Sequence, residues 1–187
     1  MNTLSFITPL LLPGFKITEI ENTPEKLVIA AQSARRSATC TNCGMQSGHY
    51  HSSYTRLMRN PPIGMKPVWL AIQVRRFRCR NARCQQKTFA EQFPDLVGRR
   101  RRHTYRLMTH LAQIGLATGG EAGVRLAKIL AMHTSPATII RLVRQLDTPV
   151  TKPPRIIGID DWAFRKGRKY GTIIIDHELG KPIDLLP

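Results

Sequence analysis

Residues 15–32, "FKITEIENTPEKLVIAAQ", alternate apolar and polar positions on both sides of an Asn-Thr-Pro-Glu turn, and this predicts a β-hairpin. "YHSSYTRLMRN" and "KPVWLAIQVRRFRC" are two further strand candidates, separated by "PPIGM", whose prolines and glycine are expected to break any continuing element. In the second of them Val68, Leu70, Ile72 and Val74 fall on one face with a period of two. The first ninety or so residues are therefore expected to be mostly β.

After "FPDLVG" the period changes. "TYRLMTHLAQIGL" places Leu107, Leu111 and Ile114 on one helical face, and Gly119 and Gly120 are expected to end that helix. A second helix should begin near Glu121 in "EAGVRLAKILAM", and a third in "HTSPATIIRLVRQL", with Ser135 as N-cap and Pro136 at the first helical position. "DTPVTKPPR" reads as a linker. "RIIGID" and "YGTIIID" are isoleucine-rich runs typical of buried strands, and "HELGKP" turns the chain into "IDLLP".

Charge narrows the class. Among 187 residues, 29 Lys and Arg stand against 12 Asp and Glu, a formal charge of +17. Such a field attracts polyanions, nucleic acid before a membrane surface or an acidic protein. No apolar run approaches bilayer-spanning length, so no membrane partner is expected. The apolar start "MNTLSFITPLLLPGF" lacks a basic leader and a cleavage site and reads as part of the fold. The chain is then expected in a reducing cytoplasm, associated with the nucleoid, where its four cysteines suit metal better than disulfides.

Those cysteines form two close pairs: Cys40 and Cys43 in "CTNCG", Cys79 and Cys84 in "CRNARC". A two-residue gap lets two thiolates face one ion, and the four-residue gap is within the range of structural zinc sites. Four thiolates would close the shell of a structural Zn²⁺ and staple a β-domain with little core. His49 and His51 lie between the pairs but read as surface or packing residues.

"EAGVRLAKILAMHTSPATIIRLVRQL" has the form of a helix-turn-helix. Its first helix is expected to pack through Val124, Leu126, Ala127 and Leu130, and its second through Ile139, Leu142 and Val143. Ser135, Thr138, Arg141, Arg144 and Gln145 then remain for solvent or DNA, residues near the helix start reaching base edges and later arginines holding phosphates. Spacing alone fits an ordinary helical hairpin equally well; the basic surroundings favour DNA. Arg99, Arg100, Arg101 and Arg102, directly upstream, are expected to contact phosphates.

A cysteine knuckle, "HSSYTR", "VRRFRCRNARCQQKTFAEQFP", "GGEAGVRLAKIL", "SPATIIRLVR" and "GIDDWAFRKGRKYGTIIID…GKPIDLLP" follow one another in this order. In these blocks the chain resembles, nearly end to end, the N-terminal part of bacterial insertion-sequence transposases of the ISL-three family. The resemblance implies an α+β multi-domain chain: a β-rich, zinc-ribbon-like domain over 1–95, a helix-turn-helix domain over 96–147, a linker over 148–154, and over 155–187 the start of an RNase H-like catalytic core. It implies double-stranded DNA at terminal inverted repeats as partner, with a homodimer admissible.

On the residues alone, Asp160 and Asp161 read as strand-end aspartates that cap a turn. The resemblance implies instead that Asp160, with Asp161 as runner-up, is the first acid of an Asp-Asp-Glu triad holding divalent ions, usually Mg²⁺, on the scissile phosphate. Asp176 reads as the residue that shapes the following hairpin. The family's second Asp and its Glu have no counterparts among these residues, so the resemblance implies a truncated, catalytically incomplete transposase that does not hold Mg²⁺ by itself. A stand-alone sequence-specific DNA-binding protein or regulator is the alternative. A zinc-ribbon RNA-binding or transcription protein would explain the cysteines and charge but not "GIDDWAFRKG".

Overall fold

A computed structural model describes residues 12–147, 153–165, 167 and 169–186. Most of the apolar start, and the expected linker as far as residue 152, lie outside the described residues. The chain is mixed α and β and divides into two compact units, Met1–Leu146 and Asp147–Pro187.

The first unit is built on one sheet. The expected hairpin forms as β1 (Phe15–Asn22) and β2 (Leu27–Ser33), paired antiparallel with a register shift between Ile17 and Glu19. Two short strands, β3 (Ala38–Thr39) and β4 (Gln46–Ser47), make a small separate ladder. The long strands β5 (Tyr50–Ile63) and β6 (Lys66–Arg78) follow, and β7 (Thr88–Ala90) returns onto β6. The order is β1-β2-β6-β5, with β2 and β6 parallel. "PPIGM" does not end the first long strand where expected, whereas β6 begins at Lys66 as the sequence predicts. β5 runs through both prolines, with a register shift between Asn60 and Ile63, and the reversal is left to Gly64 and Met65. Both have positive φ (57° and 63°), the pairing that suits a two-residue hairpin turn to the twist of its strands.

The period-two face of β6 is the core. Val68, Leu70, Ile72 and Val74 are fully buried against Ile29 and Ala31 of β2 and Met58 of β5, and Phe93 and Val97 pack onto them. Burying each large side chain of this kind contributes about 1.5–3 kcal/mol. Glu91 is buried but paired: Arg75 donates two hydrogen bonds to its carboxylate, at 2.8 and 3.2 Å, and the Arg75 backbone N–H donates a third at 2.9 Å.

Three helices follow in the same unit: α1 (Tyr105–Thr118), α2 (Gly120–Ile129) and α3 (Pro136–Val143). Thr104 caps α1 by accepting from the Leu107 N–H, and its hydroxyl donates to Asn60 Oδ1 at 2.9 Å, which fastens the helix start to β5. Ser135 caps α3 and Pro136 opens it, as the sequence predicts. Gly119 ends α1, but Gly120 starts α2 instead of closing α1. Leu107, Leu111, Ala127, Ile139 and Leu142 are buried among the helices. Leu126, expected in this core, is exposed; α2 buries Ala127, as expected, together with Gly123.

The second unit is a three-stranded antiparallel sheet of order β10-β9-β8: β8 (Ile157–Arg165), β9 (Lys169–Asp176) and β10 (Lys181–Leu186). Asp176 closes the β9–β10 turn by accepting from the Glu178 and Leu179 N–H groups at 2.9 and 3.0 Å. Among the described residues no helix is long and apolar enough to cross a membrane.

Candidate functional site

The cysteine pairs come from two turns that the sheet brings to one place. The first sits in the loop of the β3–β4 ladder, where the Cys40 N–H donates to Met45 O (2.9 Å) and the Gly44 N–H to Cys40 O (3.0 Å). Gly44 has φ 74°, a conformation that costs a residue with a Cβ. The second pair bridges β6 and β7, closed by Cys79 N–H to Lys87 O (2.9 Å) and Cys84 N–H to Asn81 O (3.0 Å). Two bonds tie the turns to the same end of the sheet. Ser47 Oγ donates to Arg78 O at 2.7 Å, and the Arg78 N–H to His49 O at 2.8 Å.

All four sulfurs lie within 4.8 Å of one another. Cys40 Sγ stands 4.0 Å from Cys84 Sγ, and Cys43 Sγ 3.5 Å from Cys79 Sγ. A disulfide needs about 2.05 Å, so these are four free thiols. Four ligands at about 2.3 Å around a tetrahedral ion sit about 3.8 Å apart, and the observed spacings bracket that value. The donor set therefore fits one tetrahedral metal ion. Phe77 and Phe89 pack beside Cys40 and Cys84 and give the centre a dry floor.

The surroundings already favour thiolate on part of the set. Backbone N–H groups of Asn42 and then Cys43 hold the Cys40 thiol below its ordinary value. The Asn42 side chain donates to Cys84 Sγ at 3.3 Å and is the main reason that thiol is lowered to about 7. At Cys79 the Asn81 N–H pulls downward, but burial and hydrogen bonding with Cys43, Cys40 and Cys84 outweigh it and push the thiol up to about 12. A divalent cation among the sulfurs would favour thiolate at Cys79 as well and reverse that balance.

His49 and His51 stand outside the centre. His49 Nδ1 meets Arg80 Nη2 at 3.0 Å, and His51 Nδ1 lies 3.0 Å from Ser52 Oγ. Both rings are exposed.

The basic residues expected on DNA are exposed. Arg99, Arg100, Arg101 and Arg102 lie in the loop before α1, and none of their guanidinium groups has a protein partner among the described residues. On α3, Ser135 and Arg141 are exposed and Thr138 is half-buried, its hydroxyl 3.0 Å from Ser135 Oγ; Arg144 follows, exposed, at the helix end.

Sequence reasoning missed two arginines that organise this surface. Arg56 donates through Nη2 to Gly98 O (3.1 Å) and to Arg101 O, clamping the carbonyls of the arginine loop. Arg59 stacks over Trp69 at 5.6 Å and donates to His133 O at 2.6 Å in the turn before α3. Its backbone pairs with the loop as well, N–H to Arg102 O (2.8 Å) and O from the Thr104 N–H (3.0 Å). Sheet, arginine loop and helical turn thus meet at one residue. Burial lowers the pKa of Arg59, and His103 beside it is lowered by burial and by the charges of Arg59 and Arg141.

In the second unit Asp160 and Asp161 lie exposed on β8, opposite Ile173 and Thr172 of β9, and Asp160 Oδ1 accepts from the Asp161 N–H at 2.8 Å. Asp160 belongs to no group of three or more candidate metal ligands among the described residues.

A four-thiol metal centre on a small sheet, followed by basic helices, is thus the class of site this chain carries. Residues 36–88, which hold all four cysteines, match the family model for the zinc-finger of transposase IS204/IS1001/IS1096/IS1165. No curated protein and no solved structure matches the chain.

Proposed function

We propose that this chain is the DNA-binding N-terminal part of an insertion-sequence transposase of the Asp-Asp-Glu type, and that it recognises terminal inverted repeats. The observation that carries the reading is the four-cysteine centre lying within the segment similar to a transposase zinc finger. Cys40, Cys43, Cys79 and Cys84 would hold a structural Zn²⁺, which neutralises the thiolates and cross-links the two turns. Helices α2 and α3 would act as a helix-turn-helix, with Ser135 and Thr138 at base edges and Arg141 and Arg144 on phosphates. Arg99, Arg100, Arg101 and Arg102 would add sequence-independent phosphate contacts from a loop that Arg56 holds in place.

Asp160 would contribute one carboxylate to a Mg²⁺ site of the catalytic core, with Asp161 second choice. Among the described residues Asp160 belongs to no group of three or more candidate ligands, and this favours a second reading for this polypeptide taken alone: a sequence-specific DNA-binding protein. The test is a comparison of end-specific and random duplexes, bound by zinc-loaded protein and by protein stripped of metal. The proposal expects end preference with metal and its loss without.

A further inference from the structure

An open groove of about 670 Å³ runs between the arginine loop and the sheet. Arg100, Arg101 and Arg102 line it from the loop; Tyr54 and Leu57 of β5 and Trp69 of β6 line it from the sheet. Among the described residues no acidic side chain lines it, and the sequence has none between Glu25 and Glu91. Its volume suits a ligand of small-molecule size, such as one or two nucleotides, and not the width of a duplex.

Two features define how the loop is held. Arg100 has φ 59°, a left-handed conformation that glycine adopts freely and that costs other residues about 1–2 kcal/mol. An arginine is nevertheless there, its guanidinium unused by the protein. Arg56 meanwhile spends its own charge on carbonyls of the loop instead of on solvent. The loop is therefore fixed with its carbonyls turned to Arg56 and three arginine side chains left for a ligand.

The sheet side supplies a different chemistry. Tyr54, 47% exposed, stands opposite Val74 on one face of the edge strand β5. Leu57, 55% exposed, lies on the other face with Trp69, over which Arg59 already stacks. The groove therefore wraps the edge of the sheet, and Tyr54 is its exposed ring. Guanidinium groups recognise phosphate, whereas exposed aromatic rings recognise the faces of bases. A duplex presents phosphates but keeps its base faces stacked inside, so it would leave the aromatic side idle. Unpaired nucleotides offer both.

We propose that this groove binds unpaired nucleotides of single-stranded DNA adjoining the duplex that α3 contacts. The inference rests on the DNA-binding reading above, and the test separates the two. Fluorescence anisotropy of the full chain would compare a blunt duplex, the same duplex with an oligothymidine extension, and oligothymidine alone. The extension should tighten binding about tenfold, in line with stacking worth about 1–3 kcal/mol per base. Tyr54→Ser, at an exposed position, should remove most of that gain and leave blunt-duplex affinity unchanged. In a Trp162→Phe background Trp69 is the remaining tryptophan, and oligothymidine should quench its fluorescence. Equal affinity for blunt and extended duplex, or a full gain retained by Tyr54→Ser with no quenching of Trp69, overturns the groove assignment while the duplex reading stands. Failure to bind any of the three DNAs overturns both.

Discussion

Gly115 of α1 faces Ile139 of α3 so closely that a methyl group on Gly115 would collide with Ile139 Cγ2 and stand 2.8 Å from Val143 Cγ2. Ile139 is fully buried and has little room to yield. Alanine normally favours a helix over glycine by about 1 kcal/mol. Overpacking of this kind costs about 1–3 kcal/mol and here should win. Gly115→Ala is expected to lower the thermal midpoint and to weaken DNA binding through misplacement of α3; a raised midpoint would show that the two helices do not cross at this point.

The turn before α3 offers the opposite change. Ala131 has φ 57°, where its Cβ is strained. Ala131→Gly removes that strain but gives back backbone entropy in the unfolded chain, so a net gain of up to about 1 kcal/mol is expected in denaturant unfolding.

How much of this was legible in the sequence depended on how local the cause was. The β1–β2 hairpin, the buried face of β6 and the cap at Ser135 follow from period and from neighbouring residues, and they could be read directly; the cap at Thr104 was not singled out. The parallel pairing of β2 with β6 could not, because it joins Leu27 to Val68 across the whole first cysteine turn. Leu126 misled because α2 packs through small residues: Gly123 and Ala127 let the helices approach, and the larger leucine turns outward. The cysteine spacing announced a metal site, whereas nothing in the charge pattern told Arg56 and Arg59, which bind carbonyls, from arginines left free for a ligand.

Metal content follows from the sulfur geometry. Protein purified without chelator should carry about one zinc per chain, and replacing any one of the four cysteines by serine should reduce that occupancy sharply. Chelation or acid should release the ion, because the ligands bind as thiolates, and the loss should unfold the cysteine turns. Atomic absorption with far-UV circular dichroism reads both; full folding with no bound metal and reduced thiols contradicts the assignment.

His103 sets a pH dependence of sign opposite to that of a histidine gaining an acidic partner. Burial, Arg59 and Arg141 hold its folded pKa below the ordinary 6.5, so the unfolded chain binds more protons in that range. Stability should therefore fall as pH drops below about 6.5 through the folded pKa. His103→Gln should reduce that loss, measured by unfolding midpoints across the range; an unchanged profile would remove His103 from the cause.

Asp160→Asn should leave duplex affinity unchanged, since the carboxylate is exposed and, among the described residues, accepts only from the neighbouring Asp161 N–H. A marked loss in an equilibrium binding assay would show that β8 takes part in holding DNA.

The central claim, that this basic surface exists to hold duplex DNA, is tested most directly by the salt dependence of binding. Each phosphate neutralised on a duplex contributes about −0.9 to the slope of log affinity against log salt. Zinc-loaded protein should show a slope of several units. Replacing Arg99, Arg100, Arg101 and Arg102 by alanine should flatten it by roughly the number of phosphates they hold, equally on all sequences, whereas replacing Ser135 and Thr138 should blunt discrimination and leave the slope intact. Zinc-loaded protein that binds no duplex at low salt, or whose affinity does not change with salt, would contradict the account.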